Sequence, residues 1–211
     1  MENILVAGAN GTTGKKIVNL LKESQYFNPI AMVRKEEQIP FFEAKNVETV
    51  LADLKENVDG AFNKSIDKVV FAAGSGGKDV VNVDQEGAKK LVDASIKNNV
   101  KKFVMLSSLG ADKPEEANQL QDYLKAKHNA DEYLKSKDLN YSIVRPGSLT
   151  NEPAANKIEL KQHLDKHGEI SRNDVAQTLV SVLNDDTANR ETFEIIKGET
   201  LIGEALHKLS S

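Results

Sequence analysis

The chain has 211 residues, of which 39% are hydrophobic and 28% charged, and its formal net charge is −4. This length and composition predict one globular domain with a full core. The acidic balance leaves no basic surface of the kind that nucleic acids require, so we expect no nucleic-acid partner. Because the chain contains no cysteine, disulfides and thiolate metal sites are excluded.

The sequence carries no sign of membrane association. It begins Met-Glu-Asn and enters an apolar strand directly, without the charged leader and long apolar stretch of a targeting signal. No segment reaches the length of a membrane span. We therefore expect a cytoplasmic protein with no membrane partner.

Short apolar runs alternate along the chain with amphipathic segments. The predicted strands are Asn3–Ala7, Pro29–Val33, Val47–Leu51, Lys68–Ala73, Lys102–Ser107, Tyr141–Val144 and Thr192–Ile196. The predicted helices are Thr13–Lys22, Val80–Asn98, Leu120–Lys137 and Asn173–Leu183, the last with Asn173 as its N-cap. Runs such as ILVA and FVML do not alternate, which is typical of strands buried on both faces of a parallel sheet. The pattern predicts an α/β fold, a doubly wound and mostly parallel sheet with helices on both faces.

One pair of histidines is spaced for metal binding. His163 and His167 lie four residues apart, but the glutamate of a zinc-protease motif is missing after His163, and the surrounding KQHLDKHGE is highly charged. We interpret this stretch as a solvated helix end and expect no metal site.

A glycine-rich turn, G-x-x-G-x-x-G, follows the first predicted strand. Gly8 permits a sharp turn, Gly11 leaves room for a phosphate, and Gly14 allows the next helix to pack closely on the sheet. The free N–H groups at the start of that helix favour an anion. Its position between a strand and a helix predicts a dinucleotide pyrophosphate site, the alternative being a tight turn without a ligand. The predicted cofactor-binding residues here are Gly8, Asn10, Gly11, Thr12, Thr13 and Gly14.

The glycine spacing resembles that of the short-chain dehydrogenase/reductase superfamily in its extended and atypical branches, whose pattern is GATGxxG. The likeness is greatest for small NAD(P)H-binding reductases and epimerase-like members, and it runs through essentially the whole chain. It implies a Rossmann-type sheet. We expect residues 1–211 to form a single NAD(P)-binding domain, with residues around 147–170 and the C-terminus contributing a small substrate lobe.

Arg34 stands at the end of the second predicted strand, where an acidic residue would bind a ribose 2′-hydroxyl. A carboxylate repels a 2′-phosphate, whereas a guanidinium can bind it through two hydrogen bonds. We therefore predict NADP(H), with NAD(H) left possible. The alternative is that Arg34 only ends a strand in solvent.

The resemblance implies further cofactor contacts. Two residues after the third strand flank the adenine, three small residues at the end of the fourth lie along the cofactor, and a Pro-Gly pair lies against the nicotinamide. These positions are Asp53, Leu54, Ala72, Ala73, Gly74, Pro146 and Gly147. Asp84, on the following helix, is either a hydrogen-bonding residue near the ribose or an exposed aspartate.

Tyr123 and Lys127 form a Y-x-x-x-K pattern. On a helix they share a face, and a lysine cation favours the phenolate of a neighbouring tyrosine. The resemblance implies that Tyr123 exchanges a proton with the substrate oxygen, that Lys127 also holds the nicotinamide ribose, and that a serine binds the same oxygen. Ser108 matches that serine and Ser107 is the alternative. Tyr123 as a core-facing aromatic and Tyr133 as a rival remain open.

Three functions compete. The leading one is an NADP(H)-dependent oxidoreductase that reduces a small carbonyl or quinone-type substrate. The second is an NAD(P)H-binding sensor or regulatory protein without turnover. The third is a sugar-nucleotide epimerase or dehydratase, which the short C-terminal region disfavours. We expect a small-molecule substrate and a monomer or homodimer.

Overall fold

The computed structural model describes residues 1–209, in which eleven strands and six helices are found. The strands are β1 (Glu2–Ala7), β2 (Phe27–Val33), β3 (Glu48–Leu51), β4 (Lys68–Phe71), β5 (Lys102–Leu106), β6 (Asn140–Pro146), β7 (Ser148–Thr150), β8 (Lys157–Lys161), β9 (Glu169–Ser171), β10 (Glu191–Lys197) and β11 (Thr200–Leu201). The helices are α1 (Thr12–Glu23), α2 (Ile39–Glu43), α3 (Ala88–Lys97), α4 (Gln121–Lys135), α5 (Arg172–Ser181) and α6 (Ile202–Leu209). Within these residues, no helix has the length and apolar character needed to cross a membrane.

Nine strands form one sheet in the order β11-β8-β10-β6-β5-β4-β1-β2-β3. The seven strands from β10 to β3 are parallel to one another. At the β10 edge, β8 pairs antiparallel with β10, and β11 pairs antiparallel with β8. Chain order reverses at β1, which lies between β2 and β4. In an open α/β sheet, the carboxyl ends of the strands at such a reversal form the ligand crevice. The predicted Rossmann-type fold is confirmed.

Alternate residues of the central strands supply two separate apolar layers. Ile4 and Val6 of β1 face the layer that includes α1, α5 and α6, whereas Leu5 and Ala7 face the layer that includes α3 and α4. Because both faces of the sheet are covered, β1 and β4 are apolar from their second or third residue onward, as in the runs Ile4–Ala7 and Val69–Phe71.

Several local expectations differ from the structure. The predicted helix Val80–Asn98 begins as a π-helical segment, Val80–Gly87, which continues directly into α3. The N-cap of α5 is Ser171 rather than Asn173, because the Ser171 Oγ accepts a hydrogen bond from the Asp174 N–H at 3.0 Å. His163 and His167 lie in the irregular segment between β8 and β9, so the expected helix end at these residues is wrong.

Residues 147–170, where we expect the substrate lobe, divide between two sheets. β7 pairs with β9 in a separate two-stranded parallel sheet, and β8 extends the main sheet. Gly147 allows the chain to leave β6 here, since a Cβ at this position would lie 2.2 Å from the Gly168 carbonyl oxygen.

Two lysines are buried at the amino ends of β4 and β5, on the sheet edge opposite the crevice. The Lys68 Nζ donates to the Leu183 carbonyl oxygen at 2.8 Å and pairs with Glu2 at 2.7 Å. The Lys102 Nζ donates to the Thr187 carbonyl oxygen at 2.6 Å and to the Asn189 Oδ1 at 2.8 Å. These lysines thereby bind the chain that follows α5 to the sheet.

Candidate cofactor and active site

The glycine turn between β1 and α1 depends on missing side chains. Gly8 has φ +84°, and a Cβ there would lie 2.6 Å from the Ala73 Cα. A Cβ on Gly14 would lie 2.1 Å from the Gly8 carbonyl oxygen. A Cβ on Gly11 would approach that same oxygen at 3.2 Å and meet no other atom within 4 Å, so this glycine faces open space. Gly8 and Gly14 are therefore required for packing, and Gly11 leaves an approach to the backbone free.

The amino end of α1 faces that opening. Gly11 is the N-cap and has extended backbone, and no side chain caps the helix. Gly11 and Thr12 are exposed, Asn10 is half-buried and Thr13 is buried. The Gly11 N–H is not free, as expected from the sequence, because it donates to the Gly8 carbonyl oxygen at 2.9 Å. The N–H groups of Thr12 and Thr13, in the first turn of α1, and the helix dipole favour an anion. The turn therefore fits the pyrophosphate of a dinucleotide.

The end of β4 forms the other wall of the crevice. The Ala72 N–H donates to the Ala7 carbonyl oxygen at 2.9 Å, which continues the pairing of β1 with β4 beyond the strand. Ala72 and Ala73 are half-buried and Gly74 is exposed. Their small side chains leave room along the path that leads from the glycine turn.

Arg34 directly follows β2 and its side chain is exposed. The Gln38 Oε1 accepts hydrogen bonds from the backbone N–H groups of Arg34 (3.1 Å) and Lys35 (3.3 Å), which fixes the turn. The guanidinium is thus attached to an ordered backbone at the edge of the crevice, where a 2′-phosphate could bind it.

Asp53 and Leu54 follow β3 and have different environments. The Asp53 Oδ1 accepts a hydrogen bond from the Lys55 N–H at 2.9 Å, so part of this carboxylate stabilises its own loop. Leu54 is buried, and a Cβ on Gly87 would lie 2.8 Å from the Leu54 Cβ. Leu54 therefore packs on the π-helical segment, and Asp53, which is half-buried, is the more accessible of the two.

Asp84 is buried, with 1% of its surface exposed, so the interpretation as an exposed aspartate is wrong. Its Oδ2 accepts a hydrogen bond from the Ser75 N–H at 3.0 Å, and its Oδ1 lies 3.4 Å from the Lys127 Nζ. A Cβ on Gly74 would lie 3.2 Å from the same Oδ1. Asp84 thus connects Lys127 to the loop that borders the crevice.

Tyr123 and Lys127 share one face of α4. The Lys127 Nζ lies 5.6 Å from the centre of the Tyr123 ring and donates to the Leu106 carbonyl oxygen at 3.2 Å. Lys127 is buried and Tyr123 is half-buried. Tyr133 lies elsewhere, since its hydroxyl donates to the Asp93 carboxylate at 2.7 Å. Of the two tyrosines, Tyr123 is the one beside the buried lysine.

The two serines after β5 have different roles in the structure. The Ser107 Oγ is buried and donates to the Asp131 Oδ2 at 2.8 Å. That same oxygen accepts from the Arg145 Nε at 3.0 Å. Ser108 is half-buried, and its Oγ donates only over 3.3 Å, to the Leu109 carbonyl oxygen. The Ser108 hydroxyl therefore forms a weaker hydrogen bond within the protein than the Ser107 hydroxyl does, and is the more available to a ligand.

Burial is the dominant influence on the Asp131 carboxyl. It raises the pKa of Asp131 above the usual range, and the Arg145 charge and the Ser107 hydrogen bond oppose that rise. Asp131 follows Lys127 by four residues on α4, and Arg145 lies on β6. Sequence reasoning missed both. The available signal was the continuation of the Tyr123–Lys127 spacing to Asp131, which places all three residues on one face.

Pro146 and Gly147 lie where β6 ends. The Pro146 carbonyl oxygen accepts from the Leu109 N–H at 2.9 Å, and the Gly147 N–H donates to the Ile195 carbonyl oxygen at 2.9 Å. These bonds hold the end of β6 between the loop after β5 and strand β10. The backbone that we expect to face the nicotinamide is therefore fixed on both sides.

Comparisons with known proteins agree with this fold. A family model described as NAD(P)H-binding matches residues 8–186. The Bacillus subtilis protein YhfK, named as an uncharacterized sugar epimerase, is 38% identical over 98% of this chain and 99% of its own length. Among solved structures, a protein from Bacillus halodurans named as an NAD-dependent epimerase/dehydratase is 36% identical with a TM-score of 0.93, covering 99% of this chain and 100% of that one. The oxidoreductase YlbE from Lactococcus lactis is 33% identical with a TM-score of 0.89, covering 98% and 96%.

The fold and the glycine turn define a Rossmann-type, dinucleotide-binding protein with the framework of an oxidoreductase. The chain belongs to the NAD(P)H-binding family. The resemblance to atypical short-chain dehydrogenase/reductases is confirmed, and a nicotinamide cofactor is supported.

Proposed function

We propose that the protein is an NADP(H)-dependent oxidoreductase that reduces a small carbonyl or quinone-type substrate. The observation that carries the proposal is the placement of Tyr123 beside the buried Lys127, with 5.6 Å between the Nζ and the ring centre. Lys127 is joined through Asp84 to the Ser75 N–H, one residue beyond the wall of the glycine crevice. These contacts support Tyr123 as a proton donor close to the expected cofactor.

Different residues of the crevice would bind different parts of the cofactor. The N–H groups of Thr12 and Thr13 would hold the pyrophosphate, and the Arg34 guanidinium would hold a 2′-phosphate. Asp53 and the small residues Ala72–Gly74 would lie along the adenosine and ribose. When bound, the cofactor supplies the hydride.

Tyr123 would deliver the proton. The Lys127 ammonium beside the ring would stabilise the phenolate that remains once the proton has been transferred. Ser108 would donate its hydroxyl hydrogen to the substrate oxygen. We prefer Ser108 to Ser107 because the Ser107 hydroxyl already donates to the buried Asp131 carboxylate. Hydride addition to the carbonyl carbon and proton transfer from Tyr123 to the oxygen then give an alcohol.

A second candidate is favoured by the relatives. YhfK and the Bacillus halodurans protein are named as an epimerase and an epimerase/dehydratase. In an epimerase the same tyrosine would serve a reaction in which hydride leaves and returns, so no cofactor would be consumed.

A cytoplasmic location, a small-molecule substrate, and a monomer or homodimer remain predictions.

The test is NADPH oxidation across a panel of small aldehydes, ketones and quinones, comparing the wild type with Tyr123→Phe. Tyr133→Phe is the matched control, because Tyr133 lies on the same helix with its hydroxyl on Asp93. We expect turnover in the wild type and the control, and a loss of about 100-fold or more in Tyr123→Phe. Turnover that survives in Tyr123→Phe would refute the proposed role of this tyrosine.

Two other outcomes would replace the proposal. Tight binding of NADPH without turnover on any substrate would favour the sensor. Interconversion of a sugar nucleotide without net NADPH consumption, abolished in Tyr123→Phe, would favour the epimerase.

A further inference from the structure

A second group of functional side chains lies outside the residues assigned to the cofactor. A groove of about 450 Å³ near the end of β6 is lined in part by Asp112, His163, Gln162 and Glu191. Glu194 of β10 reaches the same place from the sheet, since its Oε2 lies 3.7 Å from the His163 Nδ1. None of these residues has a part in the proposed reduction.

Three ligand atoms converge there. The His163 Nδ1 lies 3.2 Å from the Asp112 Oδ2, and these two atoms and a Glu194 carboxylate oxygen all lie within 4.8 Å of one another. With metal–ligand bonds of about 2.1 Å, neighbouring ligands are separated by about 3.0 Å in octahedral and about 3.4 Å in tetrahedral coordination. The 3.2 Å between the His163 and Asp112 atoms already matches these values, whereas the two carboxylates, within 4.8 Å of each other, would move closer on binding a cation.

The groove as a whole carries mixed charge, since Lys113, Lys135 and Arg145 also line it. Glu194 is the group whose charge favours a cation. Glu194 is 1% exposed, and a buried carboxylate requires a compensating charge. Its register neighbour on β6, Arg145, instead pairs with Asp131 at 2.9 Å. Within residues 1–209, the ionisable group that pairs with Glu194 is the imidazole of His163, which carries charge only when protonated. A divalent cation would neutralise both carboxylates with the imidazole neutral.

The carboxylate of Glu194 is also oriented in advance. Its Oε2 accepts a hydrogen bond from the Leu164 N–H at 2.6 Å, so the residue after His163 is already attached to it. Asp112 is half-buried and the His163 side chain is 52% exposed. One side of the cluster is thus rigid, and the other opens to the groove, where a cation could enter and keep water ligands.

We propose that Asp112, His163 and Glu194 form a site for one divalent transition-metal cation. One imidazole and two carboxylates are a ligand set for zinc, manganese or ferrous ions. The ligands come from the loop between β5 and α4, the segment between β8 and β9, and β10. Bound metal would therefore fix the segment after β8 to the sheet. This proposal departs from our expectation, from the sequence, that the chain has no metal site. His167 is not one of the proposed ligands.

The first experiment measures metal binding by the full chain, free of affinity tags and without nucleotide, so it is independent of the proposed reductase activity. Mn²⁺ is followed by electron paramagnetic resonance and Zn²⁺ by calorimetry. We expect one cation per chain, with His163→Gln weakening the affinity at least about tenfold. His167→Gln is the matched control and should bind as the wild type does. Glu194→Gln should also lose affinity while its side-chain oxygen can still accept from Leu164.

A second measurement, protection from trypsin, tests whether bound metal fixes the segment after β8 to the sheet. Lys161 and Lys166 are exposed trypsin sites on either side of His163. We expect Zn²⁺ to slow cleavage at both in the wild type and in His167→Gln, and to have no effect in His163→Gln. No binding by the wild type at millimolar metal would overturn the proposal, and so would equal binding by His163→Gln and the wild type.

Discussion

Lys127 and Asp84 form a buried ion pair, with 3.4 Å between the Nζ and the Oδ1, where α4 packs on the π-helical segment. Lys127 is 3% exposed and Asp84 is 1% exposed. Asp84 also accepts from the Ser75 N–H, so one carboxylate holds both the lysine of the proposed active site and the loop beyond β4. Asp84 therefore positions Lys127, and we expect it to influence the proposed reaction only through that lysine.

Asp84→Asn should leave the Lys127 ammonium buried without its counter-charge. Breaking a buried ion pair from one side costs about 3–5 kcal/mol, so we expect a fall of that order in the free energy of unfolding, measured with urea. Asp79→Asn is the control: Asp79 directly precedes the same segment but pairs with the solvent-exposed Lys55, and the loss of this pair should change little. Adding Lys127→Met to Asp84→Asn should restore part of the stability. Equal losses of unfolding free energy in Asp84→Asn and Asp79→Asn would contradict the assigned role of the Lys127–Asp84 pair.

Two glycines, Gly14 in the glycine turn and Gly203 in α6, should respond in opposite ways to replacement by alanine. Gly14→Ala places a Cβ 2.1 Å from the Gly8 carbonyl oxygen, so the turn or α1 must shift. We expect a loss of about 1–3 kcal/mol in the free energy of unfolding, together with weaker NADPH binding. Gly203→Ala in α6 meets no atom within 4 Å and should stabilise the protein by about 0.4–1 kcal/mol. NADPH binding by Gly14→Ala at wild-type affinity would show that the turn does not hold the pyrophosphate.

The features that sequence predicted well are local ones. The apolar character of β1, β4 and β5 follows from burial on both faces of the sheet, and the glycine turn joins neighbouring residues. The seven predicted strands are all present, and no boundary differs by more than two residues. The short antiparallel strands β8 and β11 escaped prediction because two to five residues at a sheet edge carry little periodicity.

The contacts that sequence could not predict join distant segments. Asp131 reaches back to Ser107 and forward to Arg145, and His163 meets Asp112 and Glu194 from two other parts of the chain. Each of these residues reads by itself as an ordinary charged position. These residues meet only because β5, β6 and β10 pair side by side in the sheet. Spacing along a single sequence does not predict that proximity.

Arg34→Ala tests the choice of cofactor. Loss of a bidentate, charge-assisted contact with the 2′-phosphate should weaken NADPH binding at least about tenfold and leave NADH binding unchanged. Calorimetry with both nucleotides measures the two affinities. Arg190→Ala is the control, because Arg190 is a surface arginine that pairs with Asp138. Equal losses for NADPH and NADH in Arg34→Ala would count against NADP(H) as the preferred cofactor.

Lys102 predicts a dependence of stability on alkaline pH. Its ammonium is 1% exposed, and burial, with the nearby charge of Lys68, lowers its pKa from 10.5 to about 8. Between these two values the unfolded chain holds a proton that the folded chain has released. The contribution of Lys102 to the free energy of unfolding therefore increases as the pH rises from about 8 to about 10.

The measurement is urea unfolding of the wild type and Lys102→Met at about pH 7.5 and about pH 9.5. Other groups titrate alike in the two proteins, so their effects largely cancel in the difference between the two free energies. Lys102→Met should be less stable at both pH values, because the Asn184 and Thr187 carbonyl oxygens lose a donor. We expect the advantage of the wild type to grow by about 1–2 kcal/mol at the higher pH. An advantage that stays constant would mean that Lys102 keeps an ordinary pKa through its hydrogen bonds, and one that shrinks would mean that the folded state binds the proton more tightly than the unfolded chain.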